Sequence, residues 1–123
     1  GSYGSSMSPS FSSTRLSLID RDIIWVTAHI RGGMERGMRW WKEGKLLNKK
    51  NTFEDYIAVG KYLINKKYTS KNKIIGMGGS AGGLLMGAVV NKAPELFIGI
   101  IMAVPFVDSL TTNLDHSLPL NCG

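Results

Sequence analysis

Gly78-Gly79-Ser80-Ala81-Gly82 sets a serine between glycines with one small residue on either side. In a G-x-S-x-G string the serine is suited to covalent acyl transfer when it sits on a strained turn from strand to helix, which exposes its hydroxyl. Such a turn needs small neighbours, and a Cβ at Gly78 or Gly82 is expected to collide with the adjoining backbone. The Ala81 N–H then stands at the start of a helix, where unpaired donors and the positive dipole end can stabilise an oxyanion. Ser80 is thus the candidate nucleophile and Ala81 the candidate backbone oxyanion donor. Gly78 and Gly82 are the structural elbow positions.

Two other readings of these glycines compete. One is a glycine-rich turn with an incidental serine. The other is a variant dinucleotide fingerprint, Gly76-x-Gly78-x-x-x-Gly82, whose glycines would admit a pyrophosphate. That fingerprint calls for an acid about 20 residues on, at the end of the next strand. Here the helix region ends in Lys92-Ala93-Pro94-Glu95 and the next strand leads only to Asp108.

A nucleophilic serine needs a general base oriented by an acid, in the chain order Ser, acid, His for this kind of elbow. Downstream of Ser80 the only histidine is His116, with Asp108 as the acid available before it. The tail between them lacks the strand and helix that would return His116 to Ser80, so an exposed tail histidine is expected. His29 precedes Ser80 and reads as a hydrogen-bonded structural residue. Arg31 and Glu35 are expected to pair across their loop, and Trp25, Trp40 and Trp41 to supply packing area.

The elements around the elbow follow from local pattern. Residues 1–13 are rich in Gly and Ser and lead into a helix over 14–20 capped by Ser12 or Ser13. The unbroken β-branched and aromatic run at 23–28 predicts a strand buried on both faces. A long irregular connection at 29–50 precedes a helix capped by Asn51 or Thr52, with Asp55 as the acidic partner of a Thr52 cap, ending near Lys67. A strand at 73–77, the glycine-dense turn, a helix at 83–91 stopped by Pro94 and a strand at 97–104 complete the pattern. The order predicts an α/β protein whose parallel strands are joined by crossover helices.

Composition sets limits. The chain has 123 residues, enough for one small domain at most, with 43% hydrophobic and 20% charged residues, so general disorder is excluded. Fifteen Lys and Arg against nine Asp and Glu give a formal charge of +6. The lysines flank one helical segment without interleaved aromatics, which predicts a solvated surface and no nucleic-acid site. Cys122 is the only cysteine, so no disulfide framework or Cys-based zinc site is expected, and a reducing compartment fits. The longest apolar run, 96–107, falls short of the roughly 20 residues that span a bilayer, and no membrane association is expected.

Several motifs occur in series: Gly1-Ser2-Tyr3-Gly4, His29-Ile30-Arg31-Gly32-Gly33, Gly44-Lys45-Leu46-Leu47, Asn51-Thr52-Phe53, Tyr68-Thr69-Ser70 and the segment from Gly78 to Leu85. Together they resemble the prolyl oligopeptidase family of serine peptidases along essentially the whole chain. Ala81 after the serine, with Val104-Pro105-Phe106-Val107-Asp108, is similar to the oligopeptidase B branch, which cleaves after Arg and Lys. The resemblance implies an incomplete α/β-hydrolase fold, a partial catalytic domain over residues 1–123 that lacks the propeller and the C-terminal part of that domain. It implies a cytoplasmic peptidase of short peptides that uses no cofactor and no metal, with Ser80 as nucleophile, Ala81 N–H as an oxyanion donor and Tyr3 in substrate binding. It also implies that the second oxyanion donor, one strand of the sheet, the triad acid and the triad histidine fall outside this sequence, so that the chain alone is inactive and needs flanking segments to fold. The alternative is a non-catalytic remnant or interaction module that keeps the elbow.

Overall fold

The computed structural model describes residues 1–115 and 117, so the readings of His116 and Cys122 fall outside it. Seven elements follow one another: α1 (Ser13–Ile19), α2 (Met38–Lys42), α3 (Lys50–Asn65), β1 (Ile74–Gly79), α4 (Ala81–Lys92), β2 (Phe97–Ala103) and α5 (Ser109–Leu114). β1 and β2 pair in parallel, with Ile75 opposite Gly99 and Gly79 opposite Ala103. Parallel neighbours cannot be joined by a tight hairpin, and α4 is the crossover between them.

Apolar residues decide which face is covered. In β1, Gly76 is buried while Ile75 and Met77 on the other face are more than half exposed. α4 lies against the covered face of both strands, and α3 packs on α4. The core is this single interlayer: Ile57 from α3, Leu85, Met86 and Val89 from α4, with Ala93, Leu96 and Phe97 closing it at the start of β2. Ile30 enters it from the long connection. Met86 and Val89 are fully buried.

Three expectations need correction. The run at 23–28 forms no strand among the described residues. A strand exists only through its ladder, and no described segment pairs with this run, whose Ile24 is 60% exposed. Neither Asn51 nor Thr52 is a helix cap, since Lys49 stands at the N-cap position. α3 begins at Lys50, and Thr52 is 1% exposed within it, its Oγ1 lying 2.7 Å from the Arg31 carbonyl oxygen and 3.2 Å from that of Gly44. The hydroxyl ties the helix to the loop in front of it.

Asp55, one turn along α3, serves the same tie. It accepts the Arg31 backbone N–H at 3.0 Å and the guanidinium at 2.8 and 2.6 Å, so Arg31 pairs with Asp55 and not with Glu35 as the sequence suggested. Glu35 instead accepts the Met7 N–H at 3.1 Å and faces His29 Nδ1 at 3.3 Å. Backbone is crowded here as well. A Cβ on Gly44 would overlap the Arg31 carbonyl group, and Gly32 sits at φ 101°, a conformation that side chains resist.

Burial alone would raise the Asp55 carboxyl, but the side-chain and backbone bonds from Arg31 hold it below the ordinary carboxylate range. A carboxylate depressed in the fold adds stability above its unfolded pKa of about 4, and that contribution is lost as pH falls through the lower folded value. Asp55→Asn is therefore expected to cost about 1–3 kcal/mol at pH 7 and to flatten the acid limb below pH 4. Thermal unfolding followed by circular dichroism across pH 2–7 checks this. An unchanged melting temperature at pH 7 would show that the pair carries no stability.

Candidate active site

One residue separates β1 from α4, and it is Ser80. The backbone must turn from strand to helix within it, which puts Ser80 at φ 52° and ψ −116°, in the left-handed half of conformational space. Such a conformation is uncommon for a residue with a Cβ and persists only when its surroundings hold it. Here they do. The Ser80 N–H donates to the Ala103 carbonyl at 3.0 Å, and its own carbonyl accepts N–H groups of Gly83, Phe106 and Leu84 at 2.9, 3.1 and 3.4 Å. Ser80 itself is exposed at the carboxyl end of the two strands.

The glycines divide. A Cβ on Gly78 would overlap the Gly82 carbonyl and press on Met86, so the missing side chain is what lets α4 start directly over β1. Gly82 does not behave as expected: a Cβ there meets nothing within 4 Å. The steric demand falls one residue later, at Gly83, where a Cβ would overlap the Pro105 ring. Sequence reasoning missed Gly83 and Pro105 because their contact spans the crossover and leaves no local pattern.

Ala81 opens α4, and among the described residues no acceptor takes its N–H, which leaves that donor available at the helix N-terminus beside Ser80. Among the described residues no imidazole is brought to the serine. His29 belongs to the loop that Glu35 holds, and Asp108 caps α5 by accepting the Thr111 N–H at 3.0 Å. Tyr3 is 71% exposed at φ 56°, and no hydrogen bond among the described residues links it to Ser80. Its neighbour Gly4 donates to the Gly32 carbonyl at 3.0 Å. Two cavities of about 380 and 330 Å³ lie elsewhere, the larger lined by Lys61, Ile64 and Leu96, the smaller by Met7, Arg15 and His29. Ser80 lines neither.

The cationic residues associate with the tryptophans that the sequence left to packing. Lys45 Nζ is 3.7 Å from the Trp41 ring centre, and Arg36 lies over Trp40 at 5.2 Å. Among the described residues no group of three or more His, Cys, Asp or Glu can hold a metal ion, and no helix is long and apolar enough to cross a membrane.

Residues 9–122 match the prolyl oligopeptidase family. The chain is 56% identical over 120 residues to dipeptidyl aminopeptidase BI of Pseudoxanthomonas mexicana and to protease 2 of Moraxella lacunata, covering 98% of this chain and 17% of each relative. It superposes on oligopeptidase B from Leishmania major with a TM-score of 0.92 at 51% identity, again over 98% of this chain and 17% of that one. The described elements are accordingly a part of an α/β-hydrolase catalytic domain, with two strands of its sheet.

The geometry separates the elbow glycines by experiment. Gly78→Ala is expected to destabilise the chain by about 1–3 kcal/mol through forced overlap with the Gly82 carbonyl. Gly82→Ala is expected to cost nothing and to gain up to about 1 kcal/mol of helix stability. Urea denaturation midpoints of the two variants give the comparison, and equal losses in both would contradict this account of the turn.

Proposed function

The chain belongs to the prolyl oligopeptidase family, and on that premise we propose that Ser80 is the nucleophile of a serine peptidase whose catalytic domain continues beyond these 123 residues. One observation carries the reading: an exposed serine held at φ 52° as the only residue between a parallel strand and its crossover helix. In that role the Ser80 Oγ attacks the scissile carbonyl and loses its proton to a general base. The carbonyl oxygen, now an oxyanion, accepts a hydrogen bond from the Ala81 N–H; the intermediate collapses with cleavage of the C–N bond, the amine leaves with the proton held by the base, and water then hydrolyses the acyl-enzyme and restores the Ser80 hydroxyl. Tyr3 is assigned to substrate binding on the strength of the family motif alone.

Base and orienting acid are proposed, from the family resemblance, to come from segments outside this sequence. Support for a larger domain comes from surface that a finished domain would cover. Ile75, Met77 and Ile101 stand exposed on one sheet face, and the 23–28 run has no ladder partner among the described residues. The chain also spans 17% of the length of the curated relatives it matches. Cleavage after Arg or Lys is proposed from Ala81 and the Val104-Pro105-Phe106-Val107-Asp108 segment, and a cytoplasmic setting from the single cysteine. A non-catalytic module keeping the elbow is the second reading, favoured by the absence of any imidazole at Ser80 among the described residues.

The 123-residue chain is expected to give no turnover of a chromogenic dibasic peptide. The full-length protein carrying these residues is expected to cleave it, with Ser80→Ala lowering kcat by at least about 10⁴-fold. Turnover by the isolated chain would overturn the proposed external base, full activity of the Ser80→Ala enzyme would remove the nucleophile, and cleavage after Pro instead would refute the basic specificity.

A further inference from the structure

We propose that the turn at residues 103–106 is a bracket that sets the orientation of the Ser80 hydroxyl, with Pro105 as its positioning residue. The inference rests on the reading of Ser80 as nucleophile. Both sides of Ser80 are tied to this one turn: its N–H to the Ala103 carbonyl at 3.0 Å, its carbonyl to the Phe106 N–H at 3.1 Å. The two bonds straddle Val104 and Pro105, so the conformation of Ser80 cannot change unless that dipeptide moves too.

The dipeptide has little freedom to move. Val104 sits at φ 42°, unfavourable for a β-branched residue and held against its preference by the bonds on either side. Pro105 has its own φ fixed by the ring and no N–H to form competing bonds. Its ring lies where a Cβ of Gly83 would be, so the first turn of α4 seats it from the opposite side. Beyond Phe106 the chain passes into α5, whose start is capped where Asp108 accepts the Thr111 N–H at 3.0 Å and its carbonyl accepts the Thr112 hydroxyl at 2.7 Å. A left-handed serine is thus matched by a left-handed valine across two hydrogen bonds, and each holds the other.

A hydroxyl displaced by about 1 Å from attack geometry can cost on the order of a hundredfold in rate. A loosened bracket should therefore lower kcat and leave KM in place, since the turn positions the nucleophile and does not bind the substrate in this account.

Two measurements test the proposal. In the full-length protein, amide hydrogen exchange followed by mass spectrometry is expected to quicken about tenfold or more in peptides spanning Ser80 and Phe106 in Pro105→Gly, and less in Pro105→Ala, while peptides inside α4 keep their protection. Gly83→Ala, which pushes on Pro105 from the helix side, is expected to disturb the same peptides. Should Pro105→Gly melt the chain, Pro105→Ala decides by the same readout. In the full-length enzyme, Pro105→Gly is expected to lower kcat tenfold to a hundredfold at constant KM, with Pro105→Ala recovering most of it. Unchanged exchange at Ser80 and Phe106, or wild-type kcat in Pro105→Gly beside an inactive Ser80→Ala, overturns the bracket alone. Turnover retained in Ser80→Ala removes the nucleophile reading and the bracket with it.

Discussion

A strand that passes into a helix through a single residue leaves almost no room for adjustment, and the molecule is organised around that junction. Because α4 starts immediately after β1, its axis must lie close over the strand, and the closeness is possible only where Gly78 has no side chain. The same closeness buries Met86 and Val89 completely and so creates the core. Those buried residues belong to α4, which contacts both strands, so the geometry of the elbow and the packing of the domain cannot be varied independently.

The first half of the chain is held by a different kind of force. Between Gly1 and Asp55 there is little regular structure, and cohesion comes from polar contacts: the Thr52 hydroxyl inside α3, the Arg31 and Asp55 pair, and Lys49 Nζ within 2.8 Å of the Gly1 carbonyl. Burial lowers the Lys49 ammonium, which reaches the Gly1 carbonyl and the Ser2 hydroxyl. Ile30 carries this region into the apolar core, with Ala28 and Phe53 packed against it. Hydrogen bonds around charged groups therefore do for residues 1–55 what apolar packing does for 74–103.

That contrast explains what could be read from sequence. β1, the elbow, α4 and β2 are specified by neighbours within a few positions, by apolar runs and by glycines, and they stand within a residue or two of where the pattern put them. The place of Ser80 at the turn between strand and helix was legible for the same reason. Arg31 and Asp55 lie 24 positions apart, and nothing near Arg31 distinguishes Asp55 from Glu35 as its partner. Thr52 has the look of a cap because a threonine before an apolar run usually is one; its inward role depends on a loop folded against it. Residues 23–28 have the composition of a strand, but composition supplies no ladder partner.

Parallel pairing gives the described structure a direction. Both strands end at the rim where Ser80, Val104 and Pro105 meet, while the links entering them, at 66–73 and 93–96, gather at the opposite rim. Lys66, Lys67, Tyr68 and Lys71 on the first of these links are exposed. The exit rim is therefore constrained residue by residue, whereas at the entry rim the two links differ: Ala93 and Leu96 close the core, and the exposed Lys66, Lys67 and Lys71 are free to change without reaching either the core or the serine.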